Sequence, residues 1–400
     1  MKNLTWQNPE QLFVAQELIN KVKSKCCGIK EYMKIRTFSF KNKVSGWNVK
    51  NVHFDNLTLF VGASGVGKTQ ILRAIGSLRK IVNGDSVNGA EWSVEFEENG
   101  VVYIWKGAFD ALGTSLEDIY HFKNSEAVVL YETLEINSKT IIDRKNTEIE
   151  YDGKPIVKLD ANKSAISLLK EEELISPVLN AFRKVQILNS NISGLTITPS
   201  INEKRKSHLG IREIKNEKGL SPIEKLFLLK VNKLQEFDDI FDNFKVIFPL
   251  IEDVDFAIGS FFNEVACPIL KMKEKGVKSW IFQPDISSGM LRTLSQITML
   301  TLADAGDVFL IDEFENGLGV NCINQLAEMI MYPMEDVQVI MTSHHPYIIN
   351  TIPFECWKIV TRSASDVAIH TPAEFNIGKR SRHEAFMQLI QTSAYKNGSL

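Results

Sequence analysis

Apolar and polar residues alternate along this chain in two rhythms, and each rhythm predicts one kind of element. A two-residue alternation is typical of half-buried strands, and it runs through 34–40, 92–105, 128–136, 139–143 and 147–151. Asn99-Gly100 interrupts the second of these stretches and predicts a hairpin turn, because both residues accept a positive φ. Short apolar runs predict three fully buried strands, at 57–61, 308–311 and 337–341.

Helical spacing of apolar residues dominates most of the remaining chain. It predicts helices over about 9–30, 69–81, 164–189, 222–246, 288–305, 321–331 and 383–390. The polar, turn-rich stretch 199–220 is interpreted as a mobile loop. The elements divide into an N-terminal helical extension (1–33), a lobe with the first buried strand (34–160), a mainly helical insertion (161–280) and a C-terminal lobe (281–400).

A glycine-rich turn joins the buried strand 57–61 to the helix that follows it. Its residues fit the phosphate-binding pattern G-x-x-x-x-G-K-[ST], and they are Gly62, Ala63, Ser64, Gly65, Val66, Gly67, Lys68 and Thr69. The glycines allow backbone N–H groups to surround an anion. We expect Lys68 to reach the β- and γ-phosphates of ATP and Thr69 to ligate Mg²⁺. Because a strand precedes this turn and an amphipathic helix follows it, an ordinary glycine turn is the weaker explanation.

The apolar strand 308–311 ends in two carboxylates, Asp312 and Glu313. Open α/β sheets bind their ligands at the carboxyl ends of the strands. We therefore expect Asp312 to hold Mg²⁺ through water and Glu313 to orient and polarise the attacking water. A solvated acidic turn would be the better explanation of this pair alone, but the phosphate loop upstream favours the catalytic interpretation.

Composition narrows the classes of function. Of 400 residues, 44% are hydrophobic and the net charge is −3, which predicts a globular core and gives no overall basic field for nucleic acid. The five cysteines form no C-x-x-C pair, which disfavours a zinc ribbon or a disulfide framework. The sequence shows neither a signal peptide nor a membrane-length apolar run, so we expect a cytoplasmic protein. Basic clusters at 204–208 and 271–278 are interpreted as solvated, with nucleic-acid contact as the alternative.

Two further motifs accompany the phosphate loop and the acidic pair. Ser287-Ser288-Gly289-Met290 opens the helix before the acidic strand, and Thr342-Ser343-His344-His345-Pro346 follows the next apolar strand. In this order the motifs resemble those of an ABC-type ATPase head of the RecF/SMC/OLD-like class. The resemblance covers about 34–360 and implies that Ser288 and Gly289 meet a γ-phosphate held by a facing subunit. It also implies that His344 is a switch histidine that contacts the γ-phosphate.

The motifs depart from the usual pattern at several positions. Met290 stands where the second signature glycine is usual, and Glu315-Asn316-Gly317-Leu318-Gly319 replaces Ser-Ala-Leu-Asp after the acidic pair. Gln186 is a weak candidate for the Q-loop glutamine. A plain serine-capped helix is the alternative explanation of Ser288, and a structural histidine is the alternative for His344.

The resemblance implies an α/β P-loop NTPase with an ABC-type head, in which a central mixed sheet carries a β-rich lobe and a largely helical insertion. It also implies ATP hydrolysis by a homodimer or higher homo-oligomer whose heads close around ATP. Two roles compete. The chain either regulates or scaffolds a separate effector, such as a nuclease, in bacterial phage defence, or acts directly on DNA. Too few residues follow His344 for the Toprim nuclease domain of OLD proteins, and no membrane partner is expected.

Overall fold

The structure is a computed structural model, and it describes residues 32–113, 127–188, 208–217, 220–261, 265–331, 336–378 and 381–399. Strands form one 14-stranded sheet and a second sheet of three strands. In chain order they are β1 (Lys34–Asn42), β2 (Asn48–His53), β3 (Leu57–Val61), β4 (Ala90–Glu98), β5 (Val101–Phe109), β6 (Val129–Ile136), β7 (Lys139–Lys145), β8 (Glu148–Tyr151), β9 (Lys154–Pro155), β10 (Val185–Leu188), β11 (Ile251–Phe261), β12 (Val265–Glu274), β13 (Ile281–Phe282), β14 (Val308–Ile311), β15 (Gln338–Thr342), β16 (Trp357–Ser363) and β17 (Asp366–His370).

The large sheet has the order β10-β14-β15-β3-β16-β17-β2-β1-β4-β5-β6-β7-β8-β9. Every neighbouring pair from β10 to β16 is parallel, and we call this part the parallel half. Every neighbouring pair from β2 to β9 is antiparallel, and we call this part the antiparallel lobe. Strand β17 joins the two parts, antiparallel to β16 and parallel to β2. The predicted central mixed sheet with a β-rich lobe is therefore confirmed.

The described helices lie around this sheet and in the middle of the chain. They are α1 (Lys68–Val82), α2 (Ala165–Leu168), α3 (Ser176–Arg183), α4 (Ile211–Asn216), α5 (Pro222–Val231), α6 (Gln235–Ile247), α7 (Ser288–Thr301), α8 (Val320–Met331), α9 (Pro346–Thr351), α10 (Arg382–Gln391) and α11 (Ser393–Asn397). Among the described residues, no helix combines the length and the apolar character that crossing a membrane requires.

Strand β3 shows why the strands of the parallel half are mainly apolar along their whole length. All five of its residues are buried, because helices cover both faces of a parallel sheet. Its side chains alternate between the faces. Leu59 and Val61 pack into one hydrophobic core together with Leu294 of α7. Phe60 packs into the other core together with Ile71 of α1.

The antiparallel lobe follows the alternation read from the sequence. Residues of β4 are buried at every second position, as expected for a sheet that buries one face. The loop between β4 and β5 consists of Asn99 and Gly100, with φ values of 51° and 74°. Positive φ at both central positions is what a two-residue hairpin turn requires. The hairpin predicted at this dipeptide is confirmed.

The middle of the chain differs most from its sequence pattern. Strand β10 occupies the end of the stretch predicted as helix, and it is parallel to β14 at the edge of the large sheet. Strands β11 and β12 form a hairpin within the predicted, mainly helical insertion. Helix α4 lies inside the predicted loop 199–220. Residues 185–188 form a strand because they pair with the distant β14. A pattern of four residues does not contain that information.

Some of the sequence predictions fall outside the part of the chain that the structure describes. These include the helical extension up to residue 31 and the basic cluster up to residue 207. The basic run at 271–278 is described, and Lys271 and Lys273 form ion pairs with Asp255 and Glu252. Those pairs agree with the solvated interpretation of this run. The division of the chain into four parts stays a prediction.

Candidate nucleotide-binding site

The phosphate loop begins where β3 ends, and its backbone depends on glycine. Gly62, Gly65 and Gly67 have φ values of 144°, 82° and 108°, which side chains rarely adopt. A Cβ atom added to Gly62 would also lie 2.6 Å from the carbonyl oxygen of Val360 in β16. Gly67 directly precedes α1, whose amino end is suited to binding an anion. The loop therefore has the conformation that an anion cradle needs.

Lys68 lies folded into this loop. Its Nζ donates hydrogen bonds to the carbonyl oxygens of Gly62 at 2.8 Å and Ala63 at 2.7 Å. Burial lowers the pKa of Lys68 to about 8, although the negative charge of Asp312 and its neighbours opposes this shift. The ammonium group is thus poorly compensated in the protein alone. A phosphate anion in the loop would supply the missing charge.

The tip of the loop faces outward. Ser64 and Gly65 are exposed, whereas Val66 is buried. Arg362, at the end of β16, approaches this tip, and its guanidinium donates to the carbonyl oxygen of Gly65 at 3.4 Å. On the other side, Val66 contacts the backbone of Gly398 after α11. The exposed tip is available to a ligand or to a second molecule.

Asp312 and Thr69 meet although they are far apart in sequence. Thr69 Oγ1 donates a hydrogen bond to Asp312 Oδ1 at 3.0 Å, and Thr342 Oγ1 donates to the same oxygen at 2.8 Å. No cluster of three or more His, Cys, Asp or Glu ligands occurs among the described residues. A hydroxyl beside a carboxylate is a donor set for Mg²⁺, which keeps several waters and takes other ligands from phosphate. Thr69 and Asp312 therefore fit the predicted metal role.

Glu313 is held in an unusual backbone conformation. Its φ is 45°, a left-handed value that is uncommon for a residue with a side chain. Its N–H donates to Thr342 Oγ1 at 2.7 Å, and its carbonyl oxygen accepts from Arg292 at 2.8 Å. Its carboxylate is exposed and accepts from Asn316 Nδ2 at 3.0 Å. Local strain of this kind clusters at functional sites, and here it aims the carboxylate out of the sheet edge.

His344 lies beside the acidic turn. Its backbone N–H donates to Glu315 Oε1 at 2.6 Å. Burial, together with the positive charge of Lys68, lowers the pKa of His344, so the imidazole is biased toward its neutral form. The next residue, His345, instead caps α9 by accepting from the N–H of Tyr347 at 3.2 Å.

The predicted signature residues open α7 beside the same turn. Ser287 is the cap of this helix, since its hydroxyl accepts from the N–H of Met290 at 3.2 Å. Ser288 follows it and is exposed. A Cβ atom on Gly289 would lie 2.6 Å from the carbonyl oxygen of Gly317. The helix cap is therefore Ser287, and the Ser288 hydroxyl is not used for capping. The close approach of the Gly317 backbone explains why residue 289 is glycine.

Gln186 stays a weak candidate for the Q-loop glutamine. It lies in β10 beside Phe309, and its side chain bonds Asp307, the residue before β14. Asp312 follows the carboxyl end of β14, whereas Gln186 lies toward the amino end of that strand. Three residues of the site carried no assigned role in the sequence: Arg292, Glu315 and Thr342. Their roles depend on hydrogen bonds across 20 to 30 residues of sequence, although each lies within or close to a recognised motif.

At the carboxyl edge of the parallel half, a phosphate loop, an acidic strand end and a histidine turn come together, an arrangement that defines the nucleotide-binding head of P-loop ATPases. The comparison with protein families agrees. The chain belongs to the family described as "AAA domain, putative AbiEii toxin, Type IV TA system", which matches residues 57–350. That range includes the phosphate loop, the acidic pair, the signature turn and His344. No curated protein matches the chain's sequence.

Solved structures with a related architecture include heads of SMC proteins. The chain is similar to an SMC head bound to the C-winged helix domain of ScpA, with 14% identity, a TM-score of 0.47 and coverage of 84% of this chain and 96% of that one. The chain is also similar to an Smc head domain with an extended coiled coil, bound to the C-terminal domain of ScpA and derived from Pyrococcus furiosus. The identity is 14%, the TM-score is 0.46, and the match covers 84% of this chain and 96% of that one. For the SMC head domain from Thermotoga maritima the identity is 12%, the TM-score is 0.41, and the match covers 84% of this chain and 98% of that one.

Proposed function

We propose that this chain hydrolyses ATP with Mg²⁺ and that two heads close around the nucleotide to do so. One observation carries the proposal: the hydroxyl of Thr342 joins Asp312 and Glu313, while Thr69 of the phosphate loop bonds the same Asp312. The binding loop and the acidic pair are thereby one connected unit. Phosphoryl transfer needs mainly positioning and electrostatic stabilisation, and this unit provides both.

Each residue has a defined task in the proposed reaction. Lys68 binds the β- and γ-phosphates, and the phosphate charge restores its full protonation. Thr69 and Asp312 hold Mg²⁺, which neutralises the charge that develops on the phosphates. Glu313 orients the attacking water from its exposed carboxylate. The near-neutral His344 donates toward the γ-phosphate, with Lys68 close enough to keep its pKa low.

The signature turn supports closure of two heads. Ser288 is exposed at the amino end of α7, where backbone N–H groups favour an anion. The close contact of Gly289 with Gly317 fixes this turn beside the acidic pair of its own chain. A serine presented outward in this way is suited to the γ-phosphate of a facing head. One composite site then contains Lys68 of one chain and Ser288 of the other.

A mixing experiment tests the composite site. Ser288→Arg is expected to bind ATP and to lose hydrolysis, and Lys68→Ala is expected to lose tight ATP binding. A mixture of the two should recover up to one working site per mixed dimer, measured as phosphate release. Ser138→Arg, in the exposed turn between β6 and β7, is the matched control and should keep full activity. No recovery, with mixed dimers shown to form, would mean that the site is complete within one chain.

We further propose that the nucleotide cycle regulates or scaffolds a separate effector in bacterial phage defence. The family description names a toxin of a toxin–antitoxin system, and a module of two components is what this role requires. A conformational cycle shifts only those partners that bind its states differently. Affinity purification from the native host, with ATP and with ADP, should recover an effector in one state more than in the other.

Direct action on DNA is the competing role. It predicts binding of purified protein to duplex DNA with a steep salt dependence, because each phosphate contact releases counterions. The effector role predicts weak binding without that slope. A steep slope, with no partner recovered in either nucleotide state, would decide for DNA.

A further inference from the structure

Glu315 has an arrangement that packing does not explain. Its Oε1 accepts the hydrogen bond from the N–H of His344 at 2.6 Å. Its Oε2 is buried and has no hydrogen-bond partner among the described residues. A buried carboxylate oxygen without a donor costs stability. The hydrogen bond that Oε1 accepts from His344 is therefore the interaction that explains Glu315.

The acidic turn is joined to the end of β15 at successive positions. The N–H of Glu313 donates to Thr342 Oγ1 at 2.7 Å, and the N–H of Phe314 donates to the carbonyl oxygen of Thr342 at 3.0 Å. These bonds hold Thr342, and Glu315 extends the connection by two residues to His344. The acidic turn and the histidine turn are thus joined by three hydrogen bonds.

The neighbouring amides of the histidine turn are bonded in other ways. The N–H of Ser343 is 3.5 Å from the carbonyl oxygen of Phe60, and the N–H of His345 donates to Ser343 Oγ at 3.0 Å. The first of these is long and the second is local. The bond from His344 to Glu315 is short and has a charged acceptor, which makes it the strong kind of hydrogen bond. This bond therefore fixes the position of the His344 backbone, from which the imidazole extends.

We propose that Glu315 is a positioning residue, which holds the backbone of His344 so that the imidazole points at the γ-phosphate. The inference rests on the proposed function, because a γ-phosphate contact has value only if ATP is hydrolysed. Glu315 itself touches neither substrate nor metal in this scheme. Its contribution is reach: the carboxylate oxygen must extend as far as the His344 amide.

Two substitutions separate reach from charge. Glu315→Gln keeps the length and an acceptor oxygen but loses the charge, whereas Glu315→Asp keeps the charge but is shorter by one methylene. We expect Glu315→Asp to lower kcat about 10- to 100-fold, the range for a lost hydrogen bond to a charged group. We expect Glu315→Gln to lower kcat by less, to within about tenfold of wild type, since a neutral acceptor keeps about half of a charge-assisted bond. The KM for ATP should be unchanged in both, and Glu171→Ala, an exposed glutamate elsewhere, is the control.

The opposite ranking, with Glu315→Gln inactive and Glu315→Asp active, would overturn the proposal, because charge and not reach would then matter. Full activity of both variants would overturn it as well. A raised KM with unchanged kcat would show a role in binding ATP and not in placing His344.

A second measurement is independent of hydrolysis. The chain has seven histidines, and their backbone amides can be labelled with ¹⁵N and observed by NMR without nucleotide, with His344→Gln identifying the signal. A short bond to a carboxylate shifts the amide proton downfield. Glu315→Asp should abolish that shift and Glu315→Gln should reduce it without abolishing it. If wild type shows the shift but does not hydrolyse ATP, the proposed function fails while the contact stands. If wild type lacks the shift, the positioning role fails.

Discussion

Two carboxylates with buried oxygens, Glu132 in the antiparallel lobe and Glu315 in the parallel half, are treated very differently by the fold. Glu132 is fully buried and accepts hydrogen bonds from Trp105 Nε1 at 2.9 Å, Ser164 Oγ at 2.5 Å and the N–H of Ala165 at 2.6 Å. Glu315 accepts one bond from His344 and leaves an oxygen without a donor among the described residues. The lobe satisfies its buried charge, and the site does not.

The cations show the same contrast. Arg144, fully buried in the lobe, donates to the carbonyl oxygens of Asn146, Lys163 and Asp160. Lys68 in the site has two carbonyl partners, and burial lowers its pKa to about 8, as it also lowers the pKa of Arg144. A charge with every partner in place holds structure together. A charge with hydrogen-bonding capacity left over can respond to a ligand, and the proposed function would place activity in the parallel half and stability in the antiparallel lobe.

The largest effect that would test this contrast is expected from Glu313→Gln. The variant should keep ATP but lose turnover by about 10²- to 10⁴-fold, the usual contribution of a general base or water-positioning group. Its melting temperature should be unchanged, since the carboxylate is exposed. It should also accumulate as an ATP-bound pair of heads, which size measurements with and without ATP will detect. An unchanged mass with ATP shown to be bound would contradict the closure of two heads.

Glu132→Ala should have the reverse profile. It removes the acceptor of three buried hydrogen bonds and a negative charge that acts on buried Arg144, and a buried donor left without its partner costs about 1–3 kcal/mol of stability. Denaturant unfolding measures this loss, and kcat per folded molecule should remain at the wild-type value. Glu148→Ala, on the exposed face of β8, is the control and should change stability by less than about 0.5 kcal/mol. A specific loss of kcat at Glu132 would end the separation of the two halves.

The smallest expected effect is a pH dependence of ATP binding. Nucleotide phosphate favours the charged form of Lys68, whose pKa without nucleotide is about 8. Above that pH, binding requires uptake of a proton, so affinity should fall by up to about tenfold per pH unit until the pKa of the bound state is reached. Titration calorimetry at several pH values measures this slope. Lys68→Arg, which stays charged throughout, should bind with a flat profile, and a flat wild-type profile would contradict the lowered pKa.

The sequence predicted the parallel half well because its strands carry their own information. The mainly apolar runs at β3, β14 and β15 need no partner to be recognised, and the motifs at their carboxyl ends follow fixed spacing. The Asn99-Gly100 turn could also be predicted, because its conformation depends only on these two residues. Strand β10 was missed because its state depends on pairing with β14. The role of Glu315 was missed for the same reason, since its partner His344 lies 29 residues away.

The direction of the hydrogen bonds around Asp312 has a consequence for the choice of cation. Thr342 Oγ accepts from the N–H of Glu313, so its one proton is directed at Asp312. Thr69 also gives its proton to Asp312. The lone pairs of the Thr69 oxygen therefore face away from the carboxylate, and lone pairs are what a hard cation binds. In the proposed Mg²⁺ site, a cysteine at this position would present a soft, weakly donating sulfur, so the hydroxyl would favour a hard cation such as Mg²⁺.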